Sequence, residues 1–147
     1  FKIYEGLWKL KIILDTGVFV AYINNEDKYH NWAKEQLNII KPPVITCEAV
    51  ISESCFLLKD NVNSINIIFE FFKRNAITIP FNLEENIERI QELMFQYRDV
   101  PMALADACLV YLSETIRDSI ILTIDSDFKI YRKNRREIIP LIVPELI

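Results

Sequence analysis

The chain has 147 residues, of which 51% are hydrophobic and 26% are charged, with 17 basic and 21 acidic residues. This length and composition predict one folded domain with a packed core and exclude a disordered chain. The longest apolar stretches carry acids inside them or at their ends, which excludes a membrane span. A net charge of −4 makes nonspecific binding of nucleic acid by overall charge unfavourable, although a local basic patch could overcome it.

Glycine, histidine and cysteine are scarce. The two glycines, Gly6 and Gly17, exclude a Gly-rich phosphate loop, and the single histidine, His30, excludes a multi-histidine zinc site. A zinc site of three cysteines and His30 is possible by number, but the spacing does not support it. The cysteines form no CxxC pair, which predicts reduced and mostly buried thiols: Cys47, Cys55 and Cys108. Any metal or hydrolytic chemistry must therefore be carried by carboxylates.

The first residues contain no apolar segment of the kind that directs secretion. Four charged side chains interrupt them: Lys2, Glu5, Lys9 and Lys11. The reduced cysteines fit a cytoplasmic protein, which is the predicted location. The chain begins with Phe1 rather than Met, which leaves the native N-terminus open.

Short apolar segments alternate with helical patterns along the chain. Strands are predicted at 10–14, Val44–Ile45, 76–80, 119–124 and between 138 and 143. Helices are predicted at 18–24, 27–40, 46–58, 63–74, 83–97 and 101–117. Asp27 and Thr46 are expected to cap two of these helices, Asn63 or Ser64 a third, and Pro101 is expected in the first turn of the last one. This order predicts an α/β fold with a mainly parallel sheet, in one domain over 1–147.

Two acids end predicted strands. Asp15 follows the first strand, in a turn with Gly17, and Asp125 follows the fourth. In parallel sheets the ligand crevice lies at the carboxyl ends of the strands, so we expect both acids at one edge. The alternative for these acids, and for neighbouring Asp127, is capping of the next turn or helix.

Two further acids fall on apolar helix faces. Glu53 lies three residues after Val50 and four before Leu57, and Asp106 has only apolar neighbours three and four residues away. An unpaired buried carboxylate is costly, which favours a cation or a water-filled cleft beside each one. Asp106 could instead be a structural acid bonded to backbone or to Arg117. Glu48, in a first helical turn, is explained by the helix dipole alone.

Four segments occur in an order and spacing that resemble the PIN-domain ribonucleases, most closely the VapC-type toxins of prokaryotic toxin–antitoxin pairs. They are ILDTGVFVAYI, TCEAVISE, DVPMALADACLVYLSE and ILTIDSDFKIYR. The resemblance extends from about Lys11 to Leu141 and leaves 1–10 as an N-terminal extension. It implies a three-layer α/β/α fold around a parallel sheet of about five short strands.

The resemblance also implies a site and an activity. The catalytic, metal-binding acids would be Asp15, Glu53, Asp106 and Asp125, with Asp127 as a second candidate for the last position. Supporting residues would be Thr16, Thr123 and Asp99. Carboxylates without histidine suit Mg²⁺ or Mn²⁺, which can activate water for attack on phosphorus. The implied protein is a metal-dependent endoribonuclease that acts on RNA, binds a small antitoxin protein and forms a homodimer.

Other side chains could contact RNA. A basic cluster directly follows Asp127 and could position phosphates, although an ordinary solvated turn explains it equally well: Lys129, Arg132, Lys133, Arg135 and Arg136. Five aromatic residues could stack on bases, although core or interface positions are commoner for such side chains: Tyr4, Trp8, Tyr22, Tyr29 and Trp32.

Two other classes of protein remain for comparison. A phosphoacceptor receiver domain is also α/β, but it needs an acid pair after its first strand and a late lysine, and it leaves Glu53 and Asp106 unexplained. A PIN-like scaffold without catalysis would bind only RNA or protein. The complete set of acids argues against the scaffold.

Overall fold

A computed structural model describes residues 10–145 and 147. Its main sheet has five strands in the order β3-β2-β1-β4-β7, and every neighbouring pair is parallel. The strands in chain order are β1 (Lys11–Leu14), β2 (Val44–Ile45), β3 (Ile77–Thr78), β4 (Ser119–Leu122), β5 (Arg132–Lys133), β6 (Glu137–Ile138) and β7 (Leu141–Ile142). Strands β5 and β6 form a separate antiparallel pair. The predicted α/β class and five-stranded parallel sheet are confirmed.

Six α-helices connect these strands. They are α1 (Thr16–Ile23), α2 (His30–Ile39), α3 (Glu48–Leu57), α4 (Val62–Lys73), α5 (Ile87–Gln96) and α6 (Leu104–Thr115). One short 3₁₀ helix precedes α5, and another follows β4. Among the described residues, no helix has both the length and the apolar character needed to cross a membrane.

The sheet separates two apolar cores, because successive side chains of a strand point to opposite faces. Ile13 and Ile121 pack on one side with α5 and α6. Ile12, Leu14 and Leu122 pack on the other side with α1, α2 and α4. All five side chains are at most 2% exposed. This arrangement is the expected three-layer α/β/α fold.

Several predicted details of the helix ends are wrong. Gly17 lies within α1 rather than in a turn, and its role is close packing, since a Cβ there would lie 2.8 Å from Ile124 Cγ1. Asp27 accepts a hydrogen bond from the Tyr29 backbone in a turn before α2. Thr46 does not cap α3, because its hydroxyl donates to the Leu14 carbonyl and thereby joins β2 to β1.

The same holds for the later helices. Asn61, rather than Asn63 or Ser64, caps α4 with its side chain. Pro101 follows a cis peptide in the turn before α6, which begins only at Leu104. The predicted strand between 138 and 143 is β7, but β5 and β6 were not expected. Strands of two residues are too short for the period-2 pattern that reveals longer strands.

The cysteines are placed as predicted. Cys47 and Cys108 are buried, Cys55 is half-buried, and all three are free thiols. The proposed extension at 1–10 lies almost entirely outside the described residues, as do two candidate stacking residues, Tyr4 and Trp8.

Candidate active site

The candidate site lies at the carboxyl-end edge of the two central strands. Asp15 directly follows β1, while Thr123 and Asp125 follow β4. Strands β1 and β4 are parallel neighbours, with Leu14 paired with Leu122. The segments that leave these strands therefore meet at one edge, as the sequence predicts.

Asp15 is the most buried acid of this edge, at 6% exposure. Its Oδ1 accepts a hydrogen bond from the Thr16 backbone at 2.7 Å, and its Oδ2 accepts one from the Thr123 hydroxyl at 2.6 Å. Burial raises the pKa of Asp15 to about 7, assisted by the nearby charges of Asp106 and Asp125, although both hydrogen bonds oppose the shift. Asp15 thus holds its negative charge at a considerable cost.

Glu53 reaches this edge from α3. Its Oε2 accepts a hydrogen bond from the Thr16 hydroxyl at 2.9 Å, so Thr16 connects Glu53 to Asp15. The predicted apolar environment of Glu53 is wrong. Glu53 is exposed, and Phe56 and Leu57 on the same helix are 63% and 60% exposed. The sequence singled out Glu53, but its burial was not the correct reason.

Asp106 lies in the first turn of α6 and is half-buried. Its Oδ2 accepts hydrogen bonds from the Tyr131 hydroxyl at 2.9 Å and from the Ala103 backbone at 3.3 Å. Burial raises its pKa, and the charges of Asp125 and Glu53 add to the shift. Arg117 does not pair with Asp106 among the described contacts, so no buried cation balances this carboxylate.

Asp125 and Asp127 lie in the 3₁₀ turn after β4. The Asp125 backbone donates to Thr123 Oγ1 at 2.9 Å, and Asp125 Oδ1 accepts from the Asp127 backbone at 2.9 Å. Asp125 therefore caps this turn, as the simpler alternative predicts, while its charge still acts on Asp15 and Asp106. Burial and the charge of Asp125 raise the pKa of Asp127. The structure brings both acids to the edge.

Four acids form a cluster of like charges that offers only oxygen atoms to a metal: Asp15, Glu53, Asp106 and Asp125. None of them takes part in an ion pair within the described residues. Over 10–145 and 147, no three His, Cys, Asp or Glu side chains are grouped so that they hold positions around one metal ion. The carboxylates are thus neighbours that interact through charge and through two threonines rather than a ready-made ligand set.

The remaining predicted residues are less closely associated with the cluster. Asp99 is exposed in the turn before Pro101, and its side chain makes no hydrogen bond among the described residues. Arg132 Nη1 donates to three nearby backbone carbonyls, Lys129 donates to the Ile147 carbonyl, and Arg135 pairs with Glu92. Much of the basic cluster therefore has structural partners.

The described aromatic candidates are half-buried and pack against one core. Tyr22, Tyr29 and Trp32 all belong to the side of the sheet covered by α1, α2 and α4. His30 Nδ1 donates to the Ala21 carbonyl at 2.7 Å and holds α2 to α1. These contacts explain the residues as packing elements, and base stacking by them stays a prediction.

Sequence reasoning missed one side chain of the site, Tyr131. Its segment, TIDSDFKIYR, was singled out for its acids, and no pattern in it shows that Tyr131 turns inward to Asp106. Tyr131 is 0% exposed, which its position between Ile130 and Arg132 does not reveal.

Comparison with known proteins agrees with this fold. The family model described as PIN domain matches residues 12–134. The crystal structure of Mycobacterium tuberculosis VapC20, described as a sarcin–ricin loop cleaving toxin, is similar with a TM-score of 0.69 and 21% sequence identity. The similarity covers 88% of this chain and 100% of that one. No curated protein sequence matches significantly. Because the family model spans most of the chain, this protein belongs to the PIN-domain family.

Proposed function

We propose that this protein is a metal-dependent endoribonuclease that cleaves RNA phosphodiester bonds at the acidic edge. The observation that carries the proposal is the cluster itself. Acids from four separate segments meet there: Asp15, Glu53, Asp106 and Asp125. Burial raises the pKa of Asp15 and of Asp106, neighbouring acids add to both shifts, and no described cation pairs with any of the four. A fold keeps such repulsion when a bound cation offsets it.

The chemistry of the carboxylates fits Mg²⁺ or Mn²⁺, and the side chains, which are not grouped around one point among the described residues, would have to draw together on the ion. Asp15, Glu53, Asp106 and Asp125 would hold the ion, with Asp127 as the alternative to Asp125, and all of them offer hard oxygen ligands. When bound, the ion supplies an acidic water for attack on phosphorus and stabilises negative charge on the phosphate.

The protein's own residues orient the carboxylates. Thr123 donates to Asp15 and accepts from the Asp125 backbone, so one side chain sets the spacing between two acids. Thr16 does the same for Asp15 and Glu53 through its backbone and its hydroxyl. His30 is occupied in holding α2 to α1, and so the proposed reaction uses no histidine base.

We further propose that the protein is the toxin of a toxin–antitoxin pair and acts in the cytoplasm. Two findings support this: the VapC-like segments of the sequence and the fold similarity to VapC20, a toxin that cleaves the sarcin–ricin loop. The partner of this chain would then be a small antitoxin protein, and the substrate would be RNA.

The proposed homodimer is supported by exposed apolar side chains around α5 and the start of α6. Ile87 is 53% exposed, Phe95 66% and Leu104 39%. A second copy of the chain could cover these side chains and remove them from water. Sedimentation of the pure protein at several concentrations measures whether it dimerises.

Digestion of mixed cellular RNA tests the proposed activity. We expect discrete fragments from the wild type with Mn²⁺, none after addition of a chelator, and none from Asp106→Asn. Asp60→Asn is a matched control, because Asp60 is exposed beyond the far end of α3. We expect this variant to cleave like the wild type.

The same experiment separates the enzyme from a non-catalytic scaffold. A scaffold would leave RNA intact under every condition while still retarding it in a binding assay. Cleavage that persists in Asp106→Asn would show that the nuclease activity belongs to a contaminant or to another site.

A further inference from the structure

We infer that Tyr131 is a positioning residue of the proposed nuclease, which holds the Asp106 carboxylate through Oδ2 and leaves Oδ1 for the cation. This inference rests on the proposed function, since it concerns how the same site holds its cation. It begins from the contact between the Tyr131 hydroxyl and Asp106 Oδ2, which are 2.9 Å apart.

The two oxygens of Asp106 are in different situations. Oδ2 accepts from both Tyr131 and the Ala103 backbone, whereas no described donor contacts Oδ1. A carboxylate held through one oxygen cannot rotate without breaking both hydrogen bonds. Oδ1 is therefore the oxygen that remains for a cation.

The Tyr131 side chain is itself held rigidly. It is 0% exposed, and its ring meets Tyr97 edge-on at 5.0 Å and Phe128 edge-on at 5.2 Å between ring centres. The Tyr97 hydroxyl also accepts a hydrogen bond from the Arg132 backbone at 2.9 Å, which fixes the residue after Tyr131. The packing of Tyr97 and Phe128 around the Tyr131 ring therefore fixes the position of its hydroxyl beside Asp106.

Tyr131 also connects two of the proposed ligands. Its backbone donates to the Asp127 carbonyl at 3.2 Å, and the preceding residues of the same turn carry Asp125. One segment, 125–131, therefore carries both Asp125 and Asp127 and orients a further acid on α6. Outer residues that orient ligands commonly change metal affinity 10- to 100-fold when they are replaced.

The test is Mn²⁺ binding by calorimetry to the wild type, Tyr131→Phe and Tyr111→Phe, together with the Mn²⁺ dependence of RNA cleavage. Tyr131→Phe removes one oxygen and keeps the packed ring. We expect it to bind Mn²⁺ about 10-fold more weakly or worse. Cleavage should recover substantially at high Mn²⁺ concentration, because Asp106 itself is retained.

Tyr111→Phe is the matched control. Tyr111 lies on the same helix as Asp106 and its hydroxyl donates to the Asn86 side chain, so its loss removes a comparable hydrogen bond away from the acids. We expect its Mn²⁺ affinity to equal that of the wild type. An equal loss in both variants would mean that general loosening, rather than the orientation of Asp106, lowers the affinity, and would overturn the inference.

A double variant keeps the inference testable if Tyr131→Phe alters folding. If Tyr131 acts through Asp106, adding Tyr131→Phe to Asp106→Ala should cause no further loss of Mn²⁺ affinity. A further loss would contradict the inference, as would wild-type affinity in Tyr131→Phe alone. A wild type that binds no Mn²⁺ would overturn the proposed function, and this inference with it.

Discussion

The two ends of α6 carry opposite electrostatic arrangements. At its start, Asp106 lies among other acids and has only neutral donors. Near its end, Glu114 accepts two hydrogen bonds from Arg89, at 2.9 and 2.6 Å, and one from the Asn134 backbone at 2.6 Å. The two carboxylates are eight residues apart, or about 12 Å along the helix.

The surroundings of the two carboxylates suit different roles: Asp106 suits the binding of a cation, and Glu114 stabilises the fold. Glu114 is 8% exposed in its side chain and Arg89 19%, so their pair is largely removed from water and ties α5 to α6. The same carboxylate holds the β5–β6 turn through Asn134. Replacing Glu114 should therefore cost stability, whereas replacing Asp106 should cost activity.

The largest expected effect comes from Asp106→Asn. We expect it to abolish RNA cleavage and to leave the metal-free protein as stable as the wild type or slightly more so, because it relieves repulsion from Asp125 and Glu53. Thermal melts with and without Mn²⁺ measure this, and Mn²⁺ should raise the melting temperature of the wild type only. A variant that loses about 3–5 kcal/mol without metal would indicate a structural acid with a buried partner.

The second effect is a pH dependence at the acidic end. The ordinary pKa of Asp15 is 3.8 and burial raises it to about 7, so the folded protein keeps a proton that the unfolded chain has released. The free energy of unfolding should therefore fall as pH rises through this window in the absence of metal. Asp106, whose pKa is also raised, acts in the same direction.

Chemical denaturation of the wild type and Asp15→Asn at several pH values measures the Asp15 contribution. The difference between the two proteins should grow in favour of the variant from about pH 4 to about pH 7. Parallel curves for the two proteins would mean that Asp15 titrates normally and is not held at a cost.

The opposite end of α6 is tested by Glu114→Gln. We expect a loss of about 2–3 kcal/mol, because the variant removes the buried charged partner of the half-buried Arg89 guanidinium and leaves it only the more exposed Glu92. RNA cleavage well below the melting temperature should be unchanged. Glu70→Gln is the control, since its pair with Lys73 is exposed and worth at most about 1 kcal/mol. Loss of cleavage in folded Glu114→Gln would mean that the two ends of the helix are not independent.

The smallest effect concerns the basic cluster near Glu114. Arg136 is exposed and makes no side-chain hydrogen bond or ion pair with the described residues, whereas Arg135 pairs with Glu92 at 3.2 Å. If Arg136 contacts a phosphate, Arg136→Ala should reduce the slope of log affinity against log salt by about 0.7 for single-stranded RNA. Arg135→Ala should change it less. An unaltered slope in Arg136→Ala would mean that Arg136 contacts no phosphate and would favour the interpretation of the basic cluster as a solvated turn.

The sequence predicts the acids better than it predicts their surroundings. Asp15 and Asp125 follow from the rule that parallel strands end at one edge, and the structure places them there. Glu53 was found through an apolar pattern, yet Phe56 and Leu57 of that pattern are exposed. A single helix shows periodicity, but it does not show which apolar residues its neighbours will cover.

The details that escaped prediction depend on contacts between distant segments. Gly17 reads as a turn residue, and only the position of Ile124 shows that a side chain there would collide. Tyr131 reads as one more aromatic residue in a basic segment, and only the packing of Tyr97 and Phe128 turns it inward. Local propensity contains no information on such approaches.

The order of the sheet has a consequence for synthesis of the protein. Strand β4 lies beside β1 in the middle of the sheet, and Thr123, which bonds to Asp15, is 108 residues further along the chain. While β4 and the turn that follows it are still inside the ribosome, the sheet lacks a central strand. The site then also lacks Asp125 and the Tyr131 hydroxyl that holds Asp106. The acids therefore cannot assemble until the segment that ends at Tyr131 has left the ribosome.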